Sequence, residues 1–323
     1  MRSCRIAASL IVAGLLAPPQ LFGQATIVPR PKPPAAGQSK LPATNLRVDT
    51  NLVLVPVTVT DPMNRPVTGL EKEHFRILDD KVEQTITQFA MDDEPLAVGL
   101  VFDISGSMGP KLKTSRQAAA AFFRTANPDD EFFLVEFNDT PRLVVPMTRD
   151  TQEIQNQLTF AQSKGRTALL DAIFLAIHEI KNTQKLRKAL LIISDGGDNS
   201  SRYTETEIRN LVRESDVLIY AMGIFEPEGS RSRSPEELAG PGLLSDICEQ
   251  TGGRHLPVED IGEMPDIAAK IGIELRNRYL IGYSPTDMQR DGRYHHVQVK
   301  VIPPHGLPPL RAYWRLGYYA PME

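Results

Sequence analysis

The stretch Val98-Gly-Leu-Val-Phe-Asp-Ile-Ser-Gly-Ser-Met108 constrains the chain most. An apolar run suited to a buried strand ends abruptly in Asp103, Ser105 and Ser107, and a core strand does not place three oxygen-bearing groups at its tip without a use for them. Strand residues alternate in direction, and Gly106 permits a close turn, so the three groups can converge on one point beyond the strand end. One carboxylate and two hydroxyls form a hard, oxygen-only set, suited to Mg²⁺ rather than zinc or copper. The plainer reading is that Ser105 or Ser107 caps the helix that follows.

Two further stretches weigh against the plainer reading. Lys188-Ala-Leu-Leu-Ile-Ile-Ser194 is a second buried-strand run, and it ends in Asp195 followed by Gly196-Gly197. Between the strands, Gly165-Arg-Thr-Ala-Leu169 places a hydroxyl, Thr167, at the mouth of an apolar helix. Two carboxylates about 4 Å apart at an effective dielectric near 20 repel by roughly 4 kcal/mol, so Asp103 beside Asp195 calls for a cation between them or a proton on one. Three neutral hydroxyls would fill further positions around such an ion without adding charge, leaving it able to take one more anion.

Asp103-Ile-Ser105-Gly-Ser107, Thr167 and Asp195-Gly together resemble the metal-ion-dependent adhesion site of von Willebrand factor type A domains, with all five positions present and in order. Arg166 departs from the pattern, since many relatives have a second glycine there. The resemblance implies Mg²⁺, with Mn²⁺ or Ca²⁺ as substitutes. It implies direct or near-direct coordination by Ser105, Ser107 and Thr167, and support through water from Asp103 and Asp195. It also implies a partner protein whose Asp or Glu carboxylate completes the shell. Val57-Thr-Val-Thr-Asp61, Val67-Thr-Gly-Leu70 and Gly317-Tyr-Tyr-Ala-Pro321 resemble the flanks of a group of exported bacterial proteins related to von Willebrand factor A.

At 323 residues the chain has room for a full-sized core and a smaller folded part. Residues 1–25 carry Arg2 and Arg5, an apolar run over 6–16 and the small residues Gly23 and Ala25, the pattern of a secretory signal. That run is too short to span a bilayer comfortably, so no membrane span is expected once the signal is removed. The expected address is exported: periplasmic, cell-surface or extracellular. Of two cysteines, Cys4 leaves with the leader and Cys248 has no intramolecular partner, so the fold rests on packing. A net charge of −4 with no basic stripe argues against a nucleic-acid partner.

Residues 26–45, with Pro29, Pro31, Pro33, Pro34 and Pro42, read as an extended linker. Residues 46–92 alternate in the manner of short antiparallel strands, broken at Asp61-Pro62 and turning at Asp79-Asp80, and are too few to be stable alone. A matching set lies at 278–323, with Asp291-Gly292 read as the hairpin turn between strands at 278–283 and 294–301. The two ends are expected to pair into a small β-sandwich. Between them, 93–277 alternates strand signals (96–102, 131–137, 188–194, 216–224) with helix signals (111–126, 151–161, 168–181, 205–213, 243–250, 265–276), and 142–147 adds an antiparallel edge. This predicts an α/β, doubly wound, mostly parallel sheet inserted in the sandwich, with its site beyond the carboxyl ends of the strands. Residues 226–242, rich in Ser, Arg, Pro and Gly, read as an exposed loop.

Enzyme chemistry finds little support. Neither serine sits in a G-x-S-x-G elbow, and there is no G-x-G-x-x-G or P-loop. His295 and His296 fall in a strand and point to opposite faces, so they do not easily share one ion. Asp198 either supports the ion through water or caps the helix near Glu205. The expectation is a non-enzymatic, Mg²⁺-dependent protein-binding module. A metal-dependent hydrolase, and an envelope scaffold with a purely structural ion, are the alternatives.

Overall fold

The computed structural model describes residues 52–92, 94–224, 235–286 and 291–322, with the side chains of 235–237 excepted. The leader, the linker and Cys4 lie outside the described residues. All that is described falls in one compact unit beginning at Asp49.

The central sheet has the order β10-β9-β8-β5-β6-β7, built from β5 (Leu96–Asp103), β6 (Glu131–Phe137), β7 (Pro141–Thr148), β8 (Arg187–Ser194), β9 (Leu218–Ile224) and β10 (His255–Val258). Every pairing is parallel except that of β7 with β6. All eight residues of β5 are buried. Its even-numbered side chains Leu96, Val98, Leu100 and Phe102 pack with α1 (Leu112–Phe123), α2 (Thr151–Phe160) and α6 (Met264–Arg276). Ala97 and Val101 face α3 (Leu169–Ile180), α4 (Glu205–Glu214) and α5 (Pro235–Thr251). The alternating strand thus reads one helix layer on each face, the doubly wound arrangement that the sequence predicts.

The flanks form two four-stranded sheets, β13-β1-β11-β4 and β14-β12-β2-β3. The first joins β1 (Val53–Thr60) and β4 (Ile86–Asp92) to β11 (Arg278–Tyr283) and β13 (Arg311–Trp314); the second joins β2 (Phe75–Asp79) and β3 (Val82–Gln84) to β12 (Tyr294–Val301) and β14 (Gly317–Tyr319). Val55, Val57, Val59, Phe75, Ile77, Tyr279, Ile281, Val297 and Val299 make the core between them. Pro56 is tolerated inside β1 because β13 pairs only from Val57 onward, so the proline has a neighbour on one side alone.

Two expectations need correction, and one strand goes beyond them. The strands around Asp291-Gly292 do not form a hairpin: β11 pairs with β1 and β4, while β12 pairs with β2 and β14 in the other sheet. Tyr279, Ile281 and Tyr283 of β11 and Val297 and Val299 of β12 belong to one buried cluster, so the two strands meet across the sandwich instead of lying side by side. Of the loop expected over 226–242, residues 226–234 lie outside the described residues, and from Pro235 the chain is helical, with α5 running through Pro241. The four residues of β10 escape sequence reading because Pro257 interrupts them, which an edge strand tolerates.

In β10, burial holds His255 at a pKa of about 4, below its ordinary value. The unfolded chain therefore binds the extra proton first. The stability His255 contributes is complete above about pH 6.5 and is lost as pH falls from there toward 4. His255→Asn should erase an acid sensitivity of about 1–2 kcal/mol between pH 7 and 5, read as the difference between the two urea-unfolding profiles. A pH-independent difference would contradict it.

Candidate functional site

Asp103 ends β5 and Asp195 follows β8, the neighbouring strand. The parallel pairing brings both carboxylates to the carboxyl edge of the sheet, where the strand-to-helix loops gather. Asp103 is fully buried, Ser105, Thr167 and Asp195 are buried, and Ser107 is exposed. The cluster therefore opens to solvent on the Ser107 side.

Backbone hydrogen bonds tie the three loops together. Gly106 N donates to Gly165 O at 3.0 Å and Lys164 N to Ile104 O at 2.9 Å, joining the first serine loop to the threonine loop. Asn199 N and Ser200 N donate to Thr167 O at 3.0 and 3.1 Å, and Asn199 Oδ1 accepts from Thr167 N at 3.0 Å, joining the threonine loop to the segment after Asp195. Gly165, with φ of +80°, takes the left-handed turn itself. Arg166 is not among the positive-φ residues, so the second glycine of the usual pattern is not required here.

Within the cluster, Ser105 Oγ lies 3.1 Å from Ser107 Oγ. Asp103 Oδ1 accepts from Ser105 N at 2.8 Å, and its Oδ2 accepts from the Ser194 hydroxyl at 2.6 Å. Burial first, and the charge of Asp195 second, push the Asp103 carboxyl up to about 7 against these hydrogen bonds. Thr167 joins through its loop backbone; its Oγ1 has no hydrogen bond to the other four.

Sequence reading missed Lys111. It is buried, and its ammonium donates to Asp195 Oδ2 at 3.2 Å and to Ile224 O at 3.4 Å. A lysine at the first turn of a helix carries no pattern that distinguishes it from an exposed one. Ser194, the last residue of β8, also went unread, although its hydroxyl bridges Asp103 and Gly196 N. Asp198 is a cap, but of α3: its Oδ1 accepts from Leu170 N at 3.3 Å and from the Ser201 hydroxyl at 2.6 Å. The helix near Glu205 is capped by Thr204 with Glu207.

The set is oxygen-only, with two carboxylates and three hydroxyls, and suits a hard cation. With both aspartates ionised, as a bound cation would hold them, Lys111 leaves one negative charge uncompensated, and a divalent cation would bring the cluster to one net positive charge.

Residues 98–197 match the von Willebrand factor type A domain family. A UPF0353 protein of Mycolicibacterium paratuberculosis is 36% identical over 189 residues, covering 51% of this chain and 56% of its own length. The inter-alpha-trypsin inhibitor heavy chain H4 of Bos taurus is 26% identical over 200 residues, covering 57% of this chain and 21% of its own. A solved structure of a von Willebrand factor type A protein from Catenulispora acidiphila aligns with a TM-score of 0.48 at 12% identity, over 83% of this chain and 72% of that one. The chain thus spans about half the length of the first of these relatives and a fifth of the second.

Proposed function

We propose that this chain, which carries a von Willebrand factor type A domain over residues 98–197, is an exported, Mg²⁺-dependent protein-binding module. It captures an acidic side chain of a partner at Asp103, Ser105, Ser107, Thr167 and Asp195. The observation that carries this reading is the buried pair Asp103 and Asp195 at the carboxyl edge of the sheet, where burial and then the Asp195 charge raise the Asp103 carboxyl, while the exposed Ser107 keeps one side open.

Ser105, Ser107 and Thr167 would hold the ion with neutral oxygens, and Asp103 and Asp195 would supply the charge that retains it. When bound, Mg²⁺ supplies a hard centre that favours carboxylate oxygen over other ligands. Ser194 and the Ser105 amide fix the Asp103 carboxylate, so its orientation does not depend on the ion. Lys111 neutralises part of Asp195, which leaves the loaded site positive enough to prefer an anion. Among the described residues, no helix is long and apolar enough to cross a membrane.

The test is capture from an envelope extract in Mg²⁺ against EDTA, with Asp103→Asn as the paired variant. Capture in Mg²⁺ that EDTA releases and Asp103→Asn abolishes supports the reading. Equal capture by the folded variant in EDTA would leave the ion a structural role alone, and the adhesion reading would fall.

A further inference from the structure

Two aspartates and a histidine meet in the β-sandwich, apart from the loops just described. Asp79 ends β2, and Asp80 and Lys81, with φ of 45° and 73°, make the tight turn into β3. β12 lies beside β2, with Val297 opposite Asp79, and this register brings His295 over the turn. Asp80 N donates to His296 O at 2.9 Å and His296 N to Asp80 Oδ1 at 3.0 Å, so the turn is fastened to the strand. His296 is exposed, with its ring against Tyr294, while His295 is mostly buried and stacks on Tyr318.

One ligand atom from each of Asp79, Asp80 and His295 lies within 4.8 Å of the others. His295 Nδ1 stands 3.0 Å from Asp80 Oδ2 and 3.7 Å from Asp79 Oδ1. The Asp79 side chain is only 5% exposed. Its Oδ2 accepts from the phenols of Tyr283 and Tyr318 at 3.0 and 2.9 Å. Its Oδ1, on the His295 side, is buried with no hydrogen-bond partner among the described residues, as is His295 Nε2. A buried carboxylate oxygen without a partner is costly enough that a native fold rarely keeps one. These groups border a cavity of about 240 Å³, lined also by Gln84, Thr286 and Asp291.

We infer that Asp79, Asp80 and His295 form a second cation site, for a divalent transition ion of the zinc class. The inference stands apart from the proposed function and uses none of its residues. Two carboxylates balance one divalent charge, and an imidazole nitrogen in the set turns preference away from Mg²⁺ and Ca²⁺. Donors at zinc distances in a tetrahedral shell are about 3.3 Å apart, between the two spacings given above. With Nδ1 as ligand, Nε2 faces Asp291 Oδ1 at 3.8 Å, the kind of carboxylate neighbour that ligating histidines commonly use. The ion would clamp the β2–β3 turn from the N-terminal flank to β12 from the C-terminal flank.

The test uses the full chain, stripped with chelator, held in saturating Mg²⁺ and titrated with Co²⁺ as a coloured stand-in for Zn²⁺. The site predicts uptake of one equivalent with a visible absorption band, a rise in melting temperature, and displacement by Zn²⁺. His295→Gln should lose the band. Asp80→Asn, which keeps an acceptor for His296 N, should weaken binding at least about tenfold, and Asp291→Asn by about 10–100-fold. Asp103→Asn should bind as the parent does. Absence of the band, its survival in both His295→Gln and Asp80→Asn, or its loss in Asp103→Asn would overturn the assignment. An imidazolium at His295 that Zn²⁺ does not displace, seen by NMR, would instead make the cluster a plain ion pair and would also overturn it.

Discussion

Replacing Arg254 with methionine is expected to cost the fold about 3–5 kcal/mol, read from urea unfolding, because it strands a buried charge. Arg254 Nη1 donates to Glu274 Oε1 at 2.5 Å, and Glu274 is fully buried. The Tyr220 hydroxyl, at 3.2 Å from Oε2, is the other donor to that carboxylate. Burial raises the Glu274 pKa, and Arg254 is the largest influence opposing it. The same guanidinium donates to Asn64 Oδ1 at 2.7 Å and lies 4.4 Å from the centre of the Tyr313 ring. One side chain thus joins α6, which packs on the central sheet, to the loop after β1 and to β13. Arg254→Met/Glu274→Gln should recover much of the loss, since the stranded charge goes while an acceptor for Tyr220 stays. In Arg254→Met the Glu274 pKa should rise further. A raised carboxyl pKa destabilises above the unfolded value, so the deficit of this variant should shrink as pH falls toward 4.5. A pH-independent deficit would mean that lost packing, not charge, sets the cost.

Phe133→Ala is the second large effect, at about 3–5 kcal/mol. Phe133 is buried on β6, and its ring occupies the space left by Gly99 on β5, where a Cβ would lie 2.2 Å from Phe133 Cζ. The ring belongs to the cluster with Leu169, Ile173 and Leu190, so truncation opens a cavity under α3. Gly99→Ala alone should overpack by about 1–3 kcal/mol. Because the two positions share one space, Gly99→Ala/Phe133→Leu should cost less than the sum of its single changes. Additive costs in the double-mutant cycle would show that the contact does not couple them.

Much of this architecture can be read from the chain because its strands are continuous apolar runs. The spans expected at 131–137, 96–102 and 188–194 match β6 fully and β5 and β8 within one residue at one end. What escaped is held by contacts that no local pattern encodes. The start of α5 looks like a loop because of its prolines and glycines. Gly240 lies so close to the backbone of Gly196 that a Cβ there would come 2.5 Å from Gly196 O. The helix is therefore placed by tertiary packing, not by propensity. The crossing of the chain between sheets after Tyr283 likewise depends on which apolar faces meet across the sandwich. The five oxygen-bearing positions proposed to hold the ion can be named from the chain because they follow a spaced motif. Lys111, Ser194 and Asn199 cannot, because each acts on a partner in another loop. The Asp79, Asp80 and His295 cluster carries no local pattern beyond a turn and a strand, since His295 lies more than 200 residues from the two aspartates and meets them through β2–β12 pairing.

The most direct measurement is the unfolding free energy of the full chain in EDTA and in Mg²⁺ at about a hundred times its dissociation constant, with Asp103→Asn alongside. If only the folded form binds, Mg²⁺ should add about 2.7 kcal/mol to the parent and nothing to the variant. Equal stability of the parent in EDTA and Mg²⁺, or an equal gain in Asp103→Asn, would contradict a divalent-cation site at Asp103, Ser105, Ser107, Thr167 and Asp195.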